Sequence, residues 1–337
     1  MNPKSIQTIA DIARVAGVSK STVSRALSDS PLIGVQTKER IRVIARERNF
    51  QINLPARRLT TKESKTIAFV THGHHKEFSF VDLFTMELLG SISWALGEKG
   101  YDLLMVQVDP YGGCDWSSQY LETGRADGFI LMTSTRKSVH IKSLLEMKSP
   151  FIVWGVPLRG YSYPSVTGDN FTGGKLAVEH LIRSGRRKIA FLGGPADELE
   201  VQRRYEGFAA ALQEAGQAVE STRVAYGDYS MESGATTIRR LLEASPDLDA
   251  VFVNSDLMAI SVMDALRECG RAVPDDVAVI GYDNLSISAV TNPPLTTVSQ
   301  NIPLAGRLLA ENLIEYLQTG VVSNVVMPVE LAVRKSA

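Results

Sequence analysis

Charged side chains follow several strand-like runs of this 337-residue sequence. Asp169 comes just after SVTG, Arg204 lies in the segment after KIAFLGG, and Asp283 follows VAVIGY directly. Ligands of open α/β sheets bind at the carboxyl ends of the strands, and a charged side chain there can hold two neighbouring hydroxyl groups. The pattern therefore predicts a site for a hydroxyl-rich ligand that is uncharged or weakly charged.

Further polar and aromatic residues are candidates for the same site. They are Arg136, Trp154, Glu200, Ser255 and Asp256. An aromatic ring can cover the apolar face of a sugar, which adds to hydrogen bonding by the polar groups. Each candidate also has a structural alternative, since Asp169 or Asp283 would serve equally well as the cap of a helix or turn.

The elements that must position these residues alternate between strand and helix. Apolar runs such as KTIAFVT, DGFILMT and AVFVNS are separated by amphipathic stretches such as FTMELLGSISWALGEKG and GKLAVEHLIRSG. This alternation is typical of parallel sheets covered by helices on both faces. Seven or more such units are too many for one compact sheet, so we expect two Rossmann-like α/β subdomains with a cleft between them.

The expected body spans residues 63–337. We assign residues 63–160 and 285–300 to the first subdomain, and residues 161–284 and 301–337 to the second. On this division the chain crosses between subdomains near residues 155–166, near residues 283–293 and once more near the C-terminus.

The N-terminal segment differs from the body in charge. Residues 1–62 contain 12 Lys and Arg but only 4 Asp and Glu, a net charge of +8, whereas the remainder carries −9. A basic head on an acidic body indicates a polyanion-binding module attached to a part that does not bind polyanions. The apolar periodicity of the head argues against a merely solubilising tail.

The first 50 residues read as three short helices. Thr8 is a good cap for a first helix that Gly17 ends, and Ser19 caps a second helix. This helix–turn–helix spacing is that of a DNA-binding head, with a third helix at about residues 36–48. The predicted core consists of Ile12, Val15, Val23, Leu27, Ile41 and Ile44.

The outward side chains of the second helix predict contacts with a major groove. Lys20 and Arg25 can donate to guanine, and Ser21 to either base type. Thr22 or Ser24 can donate to phosphates, which position a protein without specifying sequence. Thr8 and Ser19 are further candidates for contact with DNA. The alternative is a three-helix interaction domain with no DNA role.

The stretch NLPARRL, residues 53–59, is the expected hinge within a linker of residues 51–62. Asn53 is a good helix cap, and Pro55 falls in the first turn, where its missing N–H costs nothing. Seven residues are too few for a stable isolated helix, which needs roughly 12–15. We therefore expect a helix that forms only with a partner.

Other classes of protein fit poorly. The sequence lacks GxGxxG after a strand, GxxxxGK[ST], HExxH and GxSxG. The histidines of THGHH (His72, His74 and His75) match no firm metal motif, so we expect a loop there. No membrane span or signal peptide is recognisable, and the two distant cysteines suit a reducing cytoplasm. We expect a cytoplasmic, nucleoid-associated protein that is not an enzyme and has no cofactor or metal.

The segment TIADIARVAGVSKSTVSRAL resembles the DNA-binding head of the LacI/GalR family of bacterial transcriptional regulators. The resemblance continues through RNFQINLPARRL, where the family places its hinge, and through the body, which resembles a periplasmic sugar-binding protein. One departure is Gly34, where many relatives have a serine cap on the third helix.

The resemblance implies roles for individual residues. Effector contacts are implied for Asp169 in DNxxGG, Arg204 in RxxGF and Asp283 in GYDN. Tyr229 matches an aromatic stacking position, and Phe84 matches a position on the opposite wall.

Two positions bear on which effector is bound. Ser255 stands where several sugar-binding members have asparagine, and Glu200 (like Glu198) replaces a residue that contacts a purine in the purine-responsive branch.

Leu59 matches a wedge that opens the central base step of the operator, and Ala56 matches a small residue where two hinges approach. The hinge residues expected at DNA are Asn53, Ala56, Arg57 and Leu59.

The implied function is a sequence-specific repressor of carbohydrate-use genes that binds a palindromic operator as a homodimer. A sugar-like effector between the subdomains would control operator affinity. The alternatives are a purine- or nucleoside-responsive regulator of the same family and a sugar-binding protein without a DNA role.

Overall fold

A computed structural model describes residues 8–27, 29–48, 50, 63–72, 83–108, 115–132 and 138–337. The chain divides into one unit of Met1–Glu63 and a second of Ser64–Ala337. The predicted hinge residues Asn53, Ala56, Arg57 and Leu59, the candidate Arg136, and His74 and His75 lie outside the described residues.

The head contains helices α1 (Ile9–Ala16), α2 (Lys20–Leu27) and α3 (Val35–Glu47). Its buried core consists of Ile12, Ala13, Ala16, Val23, Ala26, Ile41 and Ala45, with Leu27 and Ile44 packed against it. The prediction for Val15 is wrong, because this side chain is 50% exposed. Since Ile12 and Ala16 define the inner face of α1, the helical period of 3.6 turns Val15 towards solvent.

The ends of the head helices follow from local residue chemistry. The Thr8 hydroxyl accepts a hydrogen bond from the Asp11 backbone N–H and caps α1. Gly17 ends the helix in the left-handed region with φ 61°, which costs glycine little. Gly34 occupies the cap position of α3, which therefore begins without a side-chain hydrogen bond.

The first subdomain of the body is a six-stranded parallel sheet in the order β11-β5-β4-β3-β1-β2. Its strands are β1 (Thr66–His72), β2 (Asp102–Val108), β3 (Gly128–Met132), β4 (Phe151–Trp154), β5 (Ser165–Gly168) and β11 (Asn324–Met327). The accompanying helices are α4 (Leu83–Glu98), α5 (Asp115–Glu122), α6 (Ser138–Glu146) and α11 (Ile302–Thr319).

The second subdomain is a six-stranded sheet in the order β12-β10-β9-β8-β6-β7, in which β12 pairs antiparallel with β10. Its strands are β6 (Ile189–Gly193), β7 (Val224–Tyr226), β8 (Ala250–Val253), β9 (Ala278–Asp283), β10 (Thr296–Ser299) and β12 (Glu330–Ala332). Its helices are α7 (Asn170–Arg183), α8 (Leu199–Glu214), α9 (Met231–Ala244) and α10 (Asp256–Glu268). The predicted α/β body with two parallel-sheet subdomains is confirmed.

The predicted subdomain boundaries need correction. Strand β10, within residues 285–300, belongs to the second sheet, whereas β5 and β11 belong to the first. Helix α11 also belongs to the first subdomain, since Leu309 and Leu313 lie in its core. The chain therefore crosses at residues 168–170, 299–302 and 327–330. No helix among the described residues is long and apolar enough to span a membrane.

Candidate functional site

Arg204 projects from the second turn of α8 and is held rigidly. Its Nε donates to Asn170 Oδ1 at 2.8 Å and its Nη1 donates to the Asn254 carbonyl oxygen at 2.7 Å. The guanidinium carbon lies 3.6 Å from the centre of the Tyr282 ring, a cation–π contact. Among the described residues, none accepts a hydrogen bond from Nη2.

Glycines allow α7 and α8 to approach closely enough for this geometry. A Cβ on Gly174 would collide with the carbonyl oxygen of Arg204, and one on Gly207 would collide with that of Phe171. Gly174 and Gly207 are therefore packing requirements that bring Arg204 beside the start of α7.

Asp283 ends β9, as predicted for a residue that faces a ligand. Its Oδ1 accepts a hydrogen bond from Gln300 Nε2 at 2.7 Å. Its backbone has φ 115°, a conformation that costs a non-glycine residue about 1–3 kcal/mol and is concentrated at functional sites. Gln300 lies in the second crossing segment, and its side chain also packs beside Gly168 in the first crossing.

Glu200 connects the two subdomains. Its Oε1 accepts a hydrogen bond of 2.7 Å from the backbone N–H of Val156, which follows β4 of the first sheet. Burial raises the pKa of this carboxyl, although the Val156 hydrogen bond and Arg204 oppose the shift. The carboxyl ends of the two sheets therefore meet at Glu200. We call Glu200, Arg204, Tyr229, Tyr282 and Asp283 the intersubdomain site.

Two tyrosines complete the intersubdomain site. Tyr229 has φ 70°, and its ring lies against the backbone of Gly194. Burial raises the pKa of Tyr229 well above its ordinary value and that of Tyr282 to about 12. Although burial disfavours its charge, the pKa of Arg204 is raised because both tyrosines, Asp283 and Glu200 lie close to it.

Phe84 and Trp154 form a pair in the first subdomain. Their ring centres are 5.9 Å apart with an angle of 36° between the planes. Trp154 ends β4, two residues before the Val156 amide that Glu200 binds. An aromatic surface therefore lies close to the point where the two subdomains meet.

Two further candidates have structural partners. Asp169 caps α7, accepting from the backbone N–H and the hydroxyl of Thr172 at 3.0 and 2.7 Å. Ser255 caps α10 by accepting from the Met258 N–H at 3.2 Å. Asp169 is half-buried, whereas Ser255 is buried.

Asp256 is fully buried and both of its carboxylate oxygens have protein partners. Oδ2 accepts from the Leu285 N–H at 2.7 Å, and Oδ1 accepts from the Thr297 hydroxyl at 2.5 Å. Burial raises its pKa to about 7. Because the Leu285 side chain belongs to the core of the first subdomain, Asp256 fixes a loop that joins the two halves.

The head presents a polar surface on α2. Ser19 accepts from the Thr22 N–H at 3.1 Å, and its hydroxyl lies 2.8 Å from those of Ser21 and Thr22. Lys20, Ser21, Ser24 and Arg25 are all exposed. The hydroxyl of Thr8 donates to Asp11, so Thr8 has a local partner on α1.

Among the described residues, no group of three or more His, Cys, Asp and Glu side chains could hold a metal ion. His72 ends β1.

Two family models match the chain. The model of bacterial regulatory proteins of the lacI family matches residues 8–53, and that of a periplasmic binding protein-like domain matches residues 178–337. The HTH-type transcriptional regulator CelR of Thermobifida fusca is 33% identical over 341 residues, with 98% of each chain covered. The chain belongs to the lacI family. It is therefore a DNA-binding transcriptional regulator and not an enzyme.

Other lacI-family proteins agree over nearly the whole length. The probable HTH-type transcriptional repressor ExuR of Bacillus subtilis (strain 168) is 32% identical, covering 92% of this chain and 91% of that protein. A solved complex of CelR with cellobiose has a TM-score of 0.75 at 31% identity, covering 98% and 99% of the two chains. A lac repressor dimer bound to operator and the anti-inducer ONPF has a TM-score of 0.81 at 26% identity, covering 98% of each.

Sequence reasoning missed three residues of this lacI-family body that hold the candidates in place. They are Asn170 and Tyr282, which contact Arg204, and Gln300, which contacts Asp283. Asn170 and Tyr282 stand directly beside Asp169 and Asp283 in the motifs DN and GYDN, which is a signal that could have found them. Gln300 had no such signal, because only the fold brings it to Asp283.

Proposed function

We propose that this regulator is a repressor of carbohydrate-use genes whose operator affinity is controlled by a sugar at the intersubdomain site. The observation that carries the proposal is the fixed guanidinium of Arg204, which lies close to the carboxylate of Asp283. A donor and an acceptor held at the carboxyl ends of parallel strands suit the hydroxyl groups of a sugar. The aromatic pair Phe84 and Trp154 supplies an apolar surface for the ring face.

The relatives support a carbohydrate effector. CelR has been solved with cellobiose, and a ribose operon repressor of Escherichia coli (strain K12) is 30% identical. Purine repressors are also among the relatives, at 28–31% identity. We favour the sugar because Glu198 and Glu200 replace the residues that contact the purine in the purine-responsive branch of the family.

On the DNA side, we propose that α2 enters the major groove of the operator. Lys20, Ser21 and Arg25 would lie at base edges. Ser19, Thr22 and Ser24 would lie at phosphates. Asn53, Ala56, Arg57 and Leu59 would act at the minor groove. The protein would bind a palindromic operator as a homodimer in the cytoplasm, as the solved lac repressor dimer on its operator suggests.

The sugar can control operator binding if it binds two arrangements of the subdomains, one more open and one more closed, with different affinity. The residues of the intersubdomain site all belong to the second subdomain, whereas Val156 belongs to the first. A ligand held by Arg204 and Asp283 would therefore favour one relative position of the two subdomains. That position would set the distance between the two heads of a dimer.

Two measurements on the full chain test the proposal. A gel shift with a palindromic fragment from upstream of the gene should show binding at low salt that falls steeply as salt rises, because phosphate contacts release counterions. Calorimetry with cellobiose, ribose, glucose and galactose, with adenine and guanine as controls, should identify a sugar. No shift with folded protein would contradict operator binding, and purine binding without sugar binding would contradict the effector assignment.

A further inference from the structure

The chain between β9 and β10 leaves the second sheet and enters the first subdomain. Leu285 is buried in the core of the first subdomain, although β9 before it and β10 after it both belong to the second sheet. We call residues 284–290 the bridging loop. The loop begins directly after Asp283, a residue of the intersubdomain site, so a ligand that contacts Asp283 acts next to the first residue of the loop.

The second subdomain holds the start of the bridging loop through several hydrogen bonds. Asp256 Oδ2 accepts from the Leu285 N–H at 2.7 Å, and the Thr297 hydroxyl accepts from the Asn284 N–H at 3.3 Å. The same Thr297 hydroxyl donates to Asp256, and the Asn284 amide donates to Ser299 Oγ at 3.3 Å. The first two residues of the loop are therefore fixed to α10 and β10.

Arg334 fixes the shape of the bridging loop from the second subdomain. Its Nη2 donates to Asn284 Oδ1 at 2.6 Å. Its Nη1 donates to Ser288 Oγ at 3.0 Å and to the Leu295 carbonyl oxygen at 2.6 Å. These acceptors lie at the start of the loop, within it and beyond its end. The backbone N–H of Arg334 donates to Thr296 Oγ1 of β10, so the guanidinium is itself anchored to the second sheet.

Glu87 attaches the bridging loop to the first subdomain. Its Oε1, on α4, accepts from the Ser286 N–H at 2.9 Å. Leu285 shares its apolar core with Ile92 of the same helix. A loop that is held rigidly by the second subdomain is therefore joined to a helix of the first. If the two subdomains change their relative position, either α4 follows the loop or the hydrogen bond to Glu87 breaks.

We propose that the bridging loop transmits effector binding from Asp283 to α4, with Arg334 as the positioning residue that fixes its shape and Glu87 as its attachment to the first subdomain. Coupling of this kind requires a rigid element whose position both sites can influence, and the loop touches the effector site at one end and α4 at the other. This inference rests on the proposed function, for which it names the path of regulation.

The test variants are made in the full chain. Glu87→Ala removes the acceptor of the Ser286 N–H, whereas Glu87→Gln retains an oxygen that can accept it. Glu98→Ala is the matched control, because Glu98 lies on the same helix and is exposed. Arg334→Lys keeps the positive charge, but one ammonium nitrogen cannot replace the two guanidinium nitrogens that reach separate parts of the loop. Since Glu87 is only half-buried, its variants should fold even if Arg334→Lys does not.

Calorimetry with cellobiose, ribose, glucose, galactose, adenine and guanine identifies the ligand for these experiments. Gel shifts then give the operator Kd with and without that ligand at saturation, and the ratio of the two values, in whichever direction it lies, is the response. The response measures the coupling between the two sites.

We expect Glu87→Ala to reduce the response at least about threefold while its ligand Kd without DNA stays within about twofold of the wild-type value. Glu87→Gln should restore the response, and Glu98→Ala should leave it unchanged. Arg334→Lys should weaken ligand binding as well as the response, because the residue after Asp283 loses its partner.

An unchanged response in Glu87→Ala, or a loss that Glu87→Gln does not restore, would overturn the inference and leave the proposed function standing. The expected pattern with adenine or guanine as the only ligand would support the inference and contradict the sugar assignment. Binding of none of the six ligands by a protein that still binds operator would overturn both.

Discussion

The guanidinium of Arg204 is joined to the side chain of Asn170 by a hydrogen bond of 2.8 Å from Nε to Oδ1. Asn170 is the first residue of α7 and the last residue of the first crossing between subdomains. Its own amide donates to the Gly168 carbonyl and the Thr167 hydroxyl at 3.0 and 3.2 Å. The proposed ligand-binding arginine is therefore tied to the backbone that links the two halves of the body.

Substitutions at Asn170 should distinguish its contact with Arg204 from its contacts with the crossing segment. Asn170→Ala leaves a buried guanidinium N–H without an acceptor, which costs about 1–3 kcal/mol or more for a charged group. We expect effector affinity to fall at least tenfold. Asn170→Asp should restore much of the affinity, because a carboxylate accepts from Nε, but it loses the donor to the crossing segment and should respond weakly at the operator.

The measurements are calorimetry with the sugar identified above and operator binding with and without that sugar. Lys175→Ala is the control, since Lys175 lies on the same helix and pairs with Glu179 and Glu214. A normal operator response in Asn170→Asp would show that the hydrogen bonds to Gly168 and Thr167 do not transmit effector binding.

Asp256 predicts a specific pH dependence of stability. Its pKa is raised to about 7 in the folded protein, chiefly by burial, whereas an unfolded chain ionises near 3.8. Because the folded state holds the proton more tightly, the free energy of unfolding should fall as pH rises from about 4 to 7 and then level off. The size of this effect is on the order of 4 kcal/mol, because the pKa rises from 3.8 to about 7 and each pKa unit corresponds to 1.36 kcal/mol.

Asp256→Asn removes the titration while retaining both contacts, since its oxygen can accept from Leu285 and its amide can donate to Thr297. The stability of this variant relative to wild type should therefore rise between pH 4 and pH 7, as measured by urea unfolding. Asp264→Asn, on the same helix with an aspartate side chain 57% exposed, provides the comparison. Parallel pH profiles for Asp256→Asn and wild type would rule out this assignment.

The uncapped start of α3 predicts a stabilising substitution in the head. Gly34 has φ −63°, and a Cβ there would meet no atom within 4 Å. Gly34→Ser should gain a side-chain cap worth a few tenths of a kcal/mol over glycine. It should also lower the entropy of the unfolded chain, and the two effects together should raise the free energy of unfolding by about 0.5–1 kcal/mol. Hydrogen exchange of the α3 amides should slow by roughly two- to fivefold. Gly17→Ser, at φ 61°, should instead accelerate exchange in α1.

The hinge prediction comes from the sequence and concerns residues outside the described part of the chain. If Leu59 opens the central base step, Leu59→Ala should weaken operator binding far more than Pro55→Ala, because only the former removes the wedge. Pro55→Ala should cost modestly, through the greater entropy lost when the hinge folds. Gel shifts measure both, with sugar affinity unchanged as the control. Equal losses would argue against a wedge.

The sequence was sufficient where one local pattern decides the outcome. Ile12, Val23 and Ile41 recur at helical spacing and form the core of the head. Sheet membership was not predictable in this way, because β10 and β11 are equally short runs whose partners are far away in sequence. The prediction therefore put β10 and β11 in the wrong subdomains.

The same distinction applies to the site. Asp283 could be placed at a strand end from its flanking residues, but its contact with Gln300 depends on two strands and a crossing segment meeting in space. Asp256 looked like a ligand residue because it follows β8. Its burial and its bonds to Leu285 and Thr297 became evident only from the tertiary structure.

The three crossings have a practical consequence for building hybrid regulators. Each sheet is completed by strands from both sides of a crossing: β11 returns to the first sheet after β10 has joined the second. A half-body cut at any single position would therefore lack an edge strand or expose an apolar helix face. Exchange of an effector-binding half with a relative requires three simultaneous junctions, within residues 168–170, 299–302 and 327–330, whereas the head, a separate contiguous unit, can be exchanged through one.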